Sequence, residues 1–411
     1  MLDMLFTQCS TIDHKFLRDV GVKCGKIVHL ADHSNGLLPE SREVVDLQGK
    51  LLLPGLVETH IHLDKALLLD RLSGDVTTLQ GAIAKSGELK RFFTAADINE
   101  RSLRVIRQAV IHGVTRMRCH VEVDPVIGLI GMETILALKE RLKDVIDLQI
   151  VAFPQEGIFR DCVTQGLMEQ AVSMGADVVG GITYNDRNLE EHLDFVFRLA
   201  HKHGLPVDLH ADFSDRPEQL AILEVVKTTE KFGMQGRVSV GHLTSLGVVR
   251  KVRAEAIAEA IAEAGIHVMC LPATDLYLNG RGVEQAAGRG LTPVQLLLDK
   301  GVNVVFGSNN IQNAFTPFGT ADPLDIGLLV AQTSHMGSEK DAGILVEMAT
   351  TRAATALELD SYGLRIGADA DLVVCQATDV RSLLYTRSER EKVYKKGKLI
   401  AETLVSSNCV I

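Results

Sequence analysis

Between residues 55 and 309 the chain repeats one unit: a short apolar run, a loop, then a stretch whose apolar positions recur at helical spacing. The runs lie at 56–62 (LVETHIH), 113–123 (GVTRMRCHVEV), 147–154 (DLQIVAFP), 176–184 (ADVVGGITY), 206–212 (PVDLHAD), 237–244 (RVSVGHLT), 267–273 (HVMCLPA) and 303–309 (NVVFGSN). Helical patterns fill the gaps, among them 189–203, 217–232 and 253–264. Gly113, Gly204, Gly265 and Gly301 stand where a helix must stop before the next strand. Eight such units predict an α/β protein, a (β/α)8 barrel. An open doubly wound sheet would carry a glycine-rich phosphate turn after its first strand, and HIHLDK is no such turn.

Both chain ends break this rhythm. Residues 1–54 hold short extended pieces such as GKIVHLAD and REVVDLQGKLLLPG, and residues 366–411 hold IGADADLVVCQATD and VYKKGKLIAETLV. These predict one small β domain assembled from both termini (1–54 and 366–411), flanking a barrel over 55–365.

Composition narrows the class. With 46% hydrophobic and 23% charged residues the chain can bury a large core, so it is not disordered. The net charge of −10 argues against nucleic acid and anionic membrane as partners. No apolar run reaches the ~18–20 residues of a membrane span, and the start has no signal-peptide pattern. Seven scattered cysteines, never spaced CxxC, suit a reducing cytoplasm and exclude a thiolate zinc knuckle.

The chemistry lies in histidines. His60 and His62 occupy positions i and i+2 of a strand, so both imidazoles face the same way, toward the barrel mouth. Alone, that pair is no more than a solvated strand end. His210 ends the fifth strand and His242 the sixth, however, so four histidines converge on one mouth, which points to a divalent metal. His112, His192, His201 and His203 fall on helices or helix ends, and His120 on the second strand reads as a packed core histidine.

With PGLVETHIHLDKALL, LQIVAFPQEGI, GADVVGG, VDLHAD, GRVSVGH, VFGSNN and GADADLVV in this order, the chain resembles the amidohydrolase superfamily. The similarity is to the branch containing cytosine deaminase and N-isopropylammelide isopropylaminohydrolase. It implies a metal-dependent (β/α)8 barrel beside a small discontinuous β-sandwich. It also implies that His60, His62 and His210 hold a metal, that His242 contacts the water and reacting group, and that Gln155 and Lys65 contact substrate. The fourth strand ends GGITYND, without the lysine that bridges two ions in binuclear relatives, so one ion is expected: zinc, iron or manganese. The resemblance further implies a homo-oligomer acting on a small heterocycle.

Two departures from that pattern matter. Where cytosine deaminases read His-Cys-Asp-Glu, this chain reads His210-Ala211-Asp212-Phe213, and where they carry two aspartates after strand eight it carries Asn309-Asn310. An amide cannot take a proton from water, and losing a positioned base costs about 10²–10⁴ in rate. Asp212, Asp64 and Lys65 are the expected replacements, with Glu122, Asp186 and Asp275 as weaker candidates that read first as loop caps. Phe213 is expected as an apolar wall, and Asn309 and Asn310 as ring-edge contacts. The function expected is hydrolysis of a C–N bond in a nitrogen heterocycle, by metal-bound hydroxide attacking an sp² ring carbon. Hydrolysis of a cyclic amide, or a metal-binding pseudoenzyme, are the alternatives that Asn309 and Phe213 raise. Specificity is expected to reside in loops 66–95, 155–165 and 276–291.

Overall fold

The chain begins with five strands, β1 (Leu2–Thr11), β2 (His14–Lys23), β3 (Lys26–Asp32), β4 (Ser41–Asp46) and β5 (Leu51–Pro54). Eight parallel strands then form the barrel: β6 (Leu56–Ile61), β7 (Val114–Glu122), β8 (Asp147–Phe153), β9 (Val178–Ile182), β10 (Val207–Ala211), β11 (Val238–His242), β12 (His267–Cys270) and β13 (Val304–Phe306). The chain finishes with β14 (Leu372–Cys375), β15 (Arg390–Lys395) and β16 (Lys398–Glu402). This computed structural model describes every residue except 13, 35, 37, 73, 75, 282–288, 407, 410 and 411, so part of the 276–291 loop lies outside the described residues.

The barrel strands are buried on both faces, as parallel strands between a lumen and a ring of helices must be. The helix Leu189–His203 shows why the periodicity was readable: Asn188 caps its first turn, and Gly204 ends it in the left-handed region (φ 64°). Two expectations fail locally. The helix expected at 217 starts at Ile222, because Asp212 takes the N–H groups of Ala221 and Ile222 and holds the preceding residues as a turn. The strand expected to reach 273 stops at Cys270, since Pro272 cannot extend a ladder and instead opens the helix Pro272–Leu278.

The barrel closes where β13 meets β6. Asn309 N–H donates to the His60 carbonyl (2.7 Å), His62 N–H to the Asn309 carbonyl (2.9 Å), and Thr59 Oγ1 to the Phe306 carbonyl (2.8 Å). Glu58 stitches the same seam, accepting from Ser308 N (3.0 Å), Ser308 Oγ (2.6 Å) and His60 N (3.1 Å). Burial pushes its carboxyl up to about 7, against the pull of those donors. Gly307 permits the approach: a Cβ there would lie 2.8 Å from the His60 Cβ and carbonyl oxygen. Gly307→Ala is therefore expected to cost about 1–3 kcal/mol in urea unfolding.

The terminal strands follow the path β16-β15-β14-β5-β1-β2-β3, with β4 on β1. Met4, Phe6, Val22, Ile27 and Leu52 from the N-terminal arm meet Leu372, Val374 and Tyr394 from the C-terminal arm in a shared core. Arg116 of β7 ties this unit to the barrel through Asp369 (2.8 Å) and Asp371 (3.1 Å). Among the described residues no helix is long and apolar enough to cross a membrane.

Candidate metal centre and active site

The β6, β10 and β11 strand ends bring His60, His62, His210 and His242 together, all buried. His210 Nε2 lies 3.1 Å from His60 Nε2 and 3.2 Å from His62 Nε2. Two imidazole nitrogens can share one proton, but three converging nitrogens cannot all be satisfied that way. Burial holds all three rings well below the usual histidine range, with neighbouring histidines adding to it and Lys65 adding at His60 and His62, so their lone pairs are free for a cation. Their Nδ1 atoms are buried without partners. The donor set fits a divalent metal.

His120 stacks on His60 (centroids 3.9 Å apart, 28° between planes), while its Nε2 lies 3.1 Å from Asp208 Oδ1. Arg118 donates to Asp208 Oδ2 at 2.8 Å. Asp208 thus joins a guanidinium and an imidazole beneath the three converging histidines. His192 pairs with Asp186 (2.7 Å) and accepts from Ile182 N (2.9 Å).

His242 is held from two sides. Its ring lies flat on Phe213 (4.1 Å, 7°), and its Nδ1 is 2.7 Å from Asp275 Oδ1. Asp275 comes from the short helix after β12; burial raises its carboxyl, with His242 pulling the other way. The residue read as a loop cap is a histidine partner. The signal available in sequence was its place after a strand end, shared by many loop acids.

Asp212, expected as a proton carrier, has both oxygens on backbone N–H groups, of Ala221 (2.7 Å) and Ile222 (3.1 Å). Burial raises its carboxyl to about 7. Asp64 and Lys65 are buried, not the exposed pair that adjacency suggests. Asp64 accepts from Glu122 N (2.7 Å). Lys65 donates to Glu122 Oε1 (2.9 Å) and Gln155 Oε1 (2.7 Å), and its Nζ sits 4.5 Å from the centre of the Phe315 ring. Lys90, on the helix Leu79–Lys90, reaches Glu122 Oε2 (2.6 Å), Asp124 (2.8 Å) and Glu156 (3.0 Å). Lys90 did not stand out in the sequence, and Glu122, read there as a loop cap, is the partner of two buried lysines.

Burial would raise Glu122, but Lys65 and Lys90 outweigh it and hold the carboxyl below its ordinary value. A carboxylate depressed in the folded state adds stability that is complete above its unfolded pKa, near 4.3, and is lost as pH falls through the folded value. Glu122→Gln is expected to cost about 3–5 kcal/mol near neutrality, because the buried Lys65 loses its carboxylate partner and the buried Lys90 loses one of three. It should also flatten the loss of stability below about pH 4.3, measured by urea unfolding across pH.

Asn309 sits at φ 57° with its Oδ1 buried and unpartnered. Asn310 Oδ1 accepts from Asn313 Nδ2 (2.8 Å), which also donates to the Lys65 carbonyl (3.1 Å). Beside Phe213 opens a cavity of about 400 Å³ that Tyr184, Thr78, Arg216 and Asn279 also line.

The chain and its fold have known counterparts. The chain is 27% identical to N-isopropylammelide isopropyl amidohydrolase of Pseudomonas sp. (strain ADP) over 97% of both chains. It is 28% identical to the pterin deaminase of Rhizobium rhizogenes (strain K84), over 90% of this chain and 85% of that protein. The crystal structure of 5-methylcytosine deaminase from Klebsiella pneumoniae liganded with phosphonocytosine superposes with a TM-score of 0.94 at 29% identity, covering 99% of this chain and all of that one. The N-isopropylammelide isopropylaminohydrolase of Burkholderia multivorans gives 0.83 at 26%, covering 98% and 99%. The amidohydrolase family profile matches residues 76–410, and the chain belongs to the amidohydrolase family.

Proposed function

We propose that this chain is a metal-dependent hydrolase that cleaves a C–N bond of a small nitrogen heterocycle, an amino-substituted pyrimidine- or triazine-type ring. The convergence of His60, His62 and His210 on one point of the barrel mouth carries the reading. Similarity to enzymes named for 5-methylcytosine, N-isopropylammelide and pterin supports the ring class. A single ion, zinc, iron or manganese, suits three neutral imidazoles beside a β9 end that offers glycines and no lysine. When bound, such an ion acidifies water and polarises the reacting group.

The remaining work falls to the chain itself. Asp275 accepts the His242 Nδ1 proton, which leaves Nε2 as a lone pair. Nε2 takes a proton as water oxygen bonds to the ring carbon, and returns it to the nitrogen as the C–N bond breaks. Phe213 keeps water off the His242 face. Asn309 offers its free Oδ1 to a ring N–H or amino group. Asp212 holds the loop that carries Phe213 rather than moving protons. The seven cysteines, all free, accord with a cytoplasmic setting.

Metal analysis followed by an ammonia-release screen over aminopyrimidines, aminotriazines and pterins tests this. About one ion per chain and turnover of at least one ring are expected. Absence of metal, with no turnover after zinc, iron or manganese is supplied, would make the chain a binding protein, the reading that Asn309 and Phe213 favour. The double substitution Asn309→Asp with Phe213→Glu sharpens the substrate: cytosine deamination confined to that variant places the native reaction on another ring.

A further inference from the structure

The cavity of about 400 Å³ beside Phe213 has two kinds of wall. Leu79, Tyr184, Phe213 and Leu278 supply an apolar part. Phe213 is also the ring that lies flat on His242, at 4.1 Å and 7°. The cavity thus adjoins the histidine centre across a single side chain, and it is space that the reacting ring itself does not need.

The polar part is built round two arginines, Arg216 and Arg281. Arg216 follows Phe213 by three residues, on the loop that Asp212 clamps through the N–H groups of Ala221 and Ile222. The loop is also pinned after β11, where Thr244 Oγ1 accepts from Ser214 N (2.9 Å) and donates to the Ser214 carbonyl (2.8 Å). Among the described residues the Arg216 guanidinium meets no acceptor, so its five donors are uncommitted. Arg281 spends Nε (3.0 Å) and Nη2 (2.8 Å) on the Tyr277 carbonyl and keeps Nη1. The described lining holds one acid, Asp215, and its Oδ2 takes Gly280 N–H (3.3 Å) rather than either guanidinium. In a chain of net charge −10, this wall carries two cations to one anion.

We propose that the cavity beside Phe213 is a subsite for an anionic substituent, so that the ring processed at the histidine centre carries a carboxylate or phosphate arm received by Arg216 and Arg281. A planar guanidinium fork matches the oxygens of either group. The inference rests on the heterocycle reading above for the ring; the charge of the arm is read from the cavity alone. It also accounts for Phe213. A carboxylate at this position, where cytosine deaminases have one, would repel such an arm, and a phenyl ring does not.

The test is calorimetric titration of the full chain as purified with uracil-1-acetate and uracil-5-acetate, each against its own methyl ester. Uracils lack the amine that is lost from cytosine, and each acid differs from its ester by one methyl group and one charge. At least one acid is expected to bind about tenfold or more tightly than its ester. That preference should shrink between about 50 and 500 mM NaCl, because the guanidinium is exposed. Arg216→Gln should abolish most of it and Arg216→Glu should turn it toward the ester, both with the melting temperature unchanged, since the side chain has no partner to lose. Arg281→Gln should weaken it less, with only one nitrogen free. Uracil-1-methylphosphonate separates the two kinds of arm: tighter binding than uracil-1-acetate marks a phosphate arm, weaker binding a carboxylate arm. Equal binding in both pairs, preference for the esters, a preference that survives Arg216→Glu, or no binding of any probe at millimolar concentration overturns the proposal. The hydrolase reading is decided separately, by metal content and ammonia release.

Discussion

His242→Ala is expected to lower kcat/KM by about 10²–10⁴ while the metal stays bound. The argument is one of elimination by geometry. The positions at which cytosine deaminases keep acids hold Phe213 and Asn309 here, and Asp212 spends both oxygens on backbone N–H groups. His242 is the group at the mouth with a fixed tautomer and an open nitrogen. Asp275→Asn separates positioning from packing. The amide is the same size, but it can donate to Nδ1 and so favour the opposite tautomer, with the proton on Nε2. Most of the His242→Ala loss should therefore reappear in Asp275→Asn, in kcat rather than KM, with the melting temperature little changed. Retention of nearly full activity in Asp275→Asn would show that the 2.7 Å pair only fills space.

His210→Ala should have the largest effect. His210 Nε2 is the atom common to both short contacts of the centre, so its removal leaves two ligands of three. Metal measured by elemental analysis is expected to fall to background, and turnover with it, whatever divalent ion is supplied. His120→Ala is the informative comparison. Its ring supports His60 without joining the three converging nitrogens, and loss of such a support typically weakens metal affinity about 10–100-fold. A chelator competition would place it between wild type and His210→Ala. Were His120→Ala to lose the ion as completely as His210→Ala, the centre would instead be the group His60, His120 and Asp208.

Some of this site is written in single stretches of chain and some is not. His60, His62, His210 and His242 could be found because each ends an apolar run, and a barrel sends strand ends to one place. Phe213, Asn309 and the absent lysine of β9 were legible as departures at fixed points in that frame. Lys90 was not: it is the last residue of a helix with little amphipathic character, and its partners Glu122, Asp124 and Glu156 sit on other loops and strands. Asp275 was hidden for a related reason, since its partner stands 33 residues away. Lys65 misled in the opposite direction. Adjacent Asp64 and Lys65 look like a surface pair, yet both turn inward to Glu122, Asp64 to its backbone N–H and Lys65 to its carboxylate. Periodicity reports which face a residue occupies; it says nothing of which distant charge will be brought opposite it.

The seam between β6 and β13 has a bearing on how the protein matures. Residues 61 and 309 form its bridge, and the backbone of His60, His62 and Asn309 does the joining. A nascent chain released as far as His210 already contains the three histidines proposed to hold the ion, but the stretch that fixes two of them has not yet been synthesised. Such a chain is expected to bind an ion only loosely. With the proposed ligand set, firm capture is expected only once the last barrel strand arrives, so that a tightly held ion would report a finished barrel and loading the metal would double as the chain's own proof of completion.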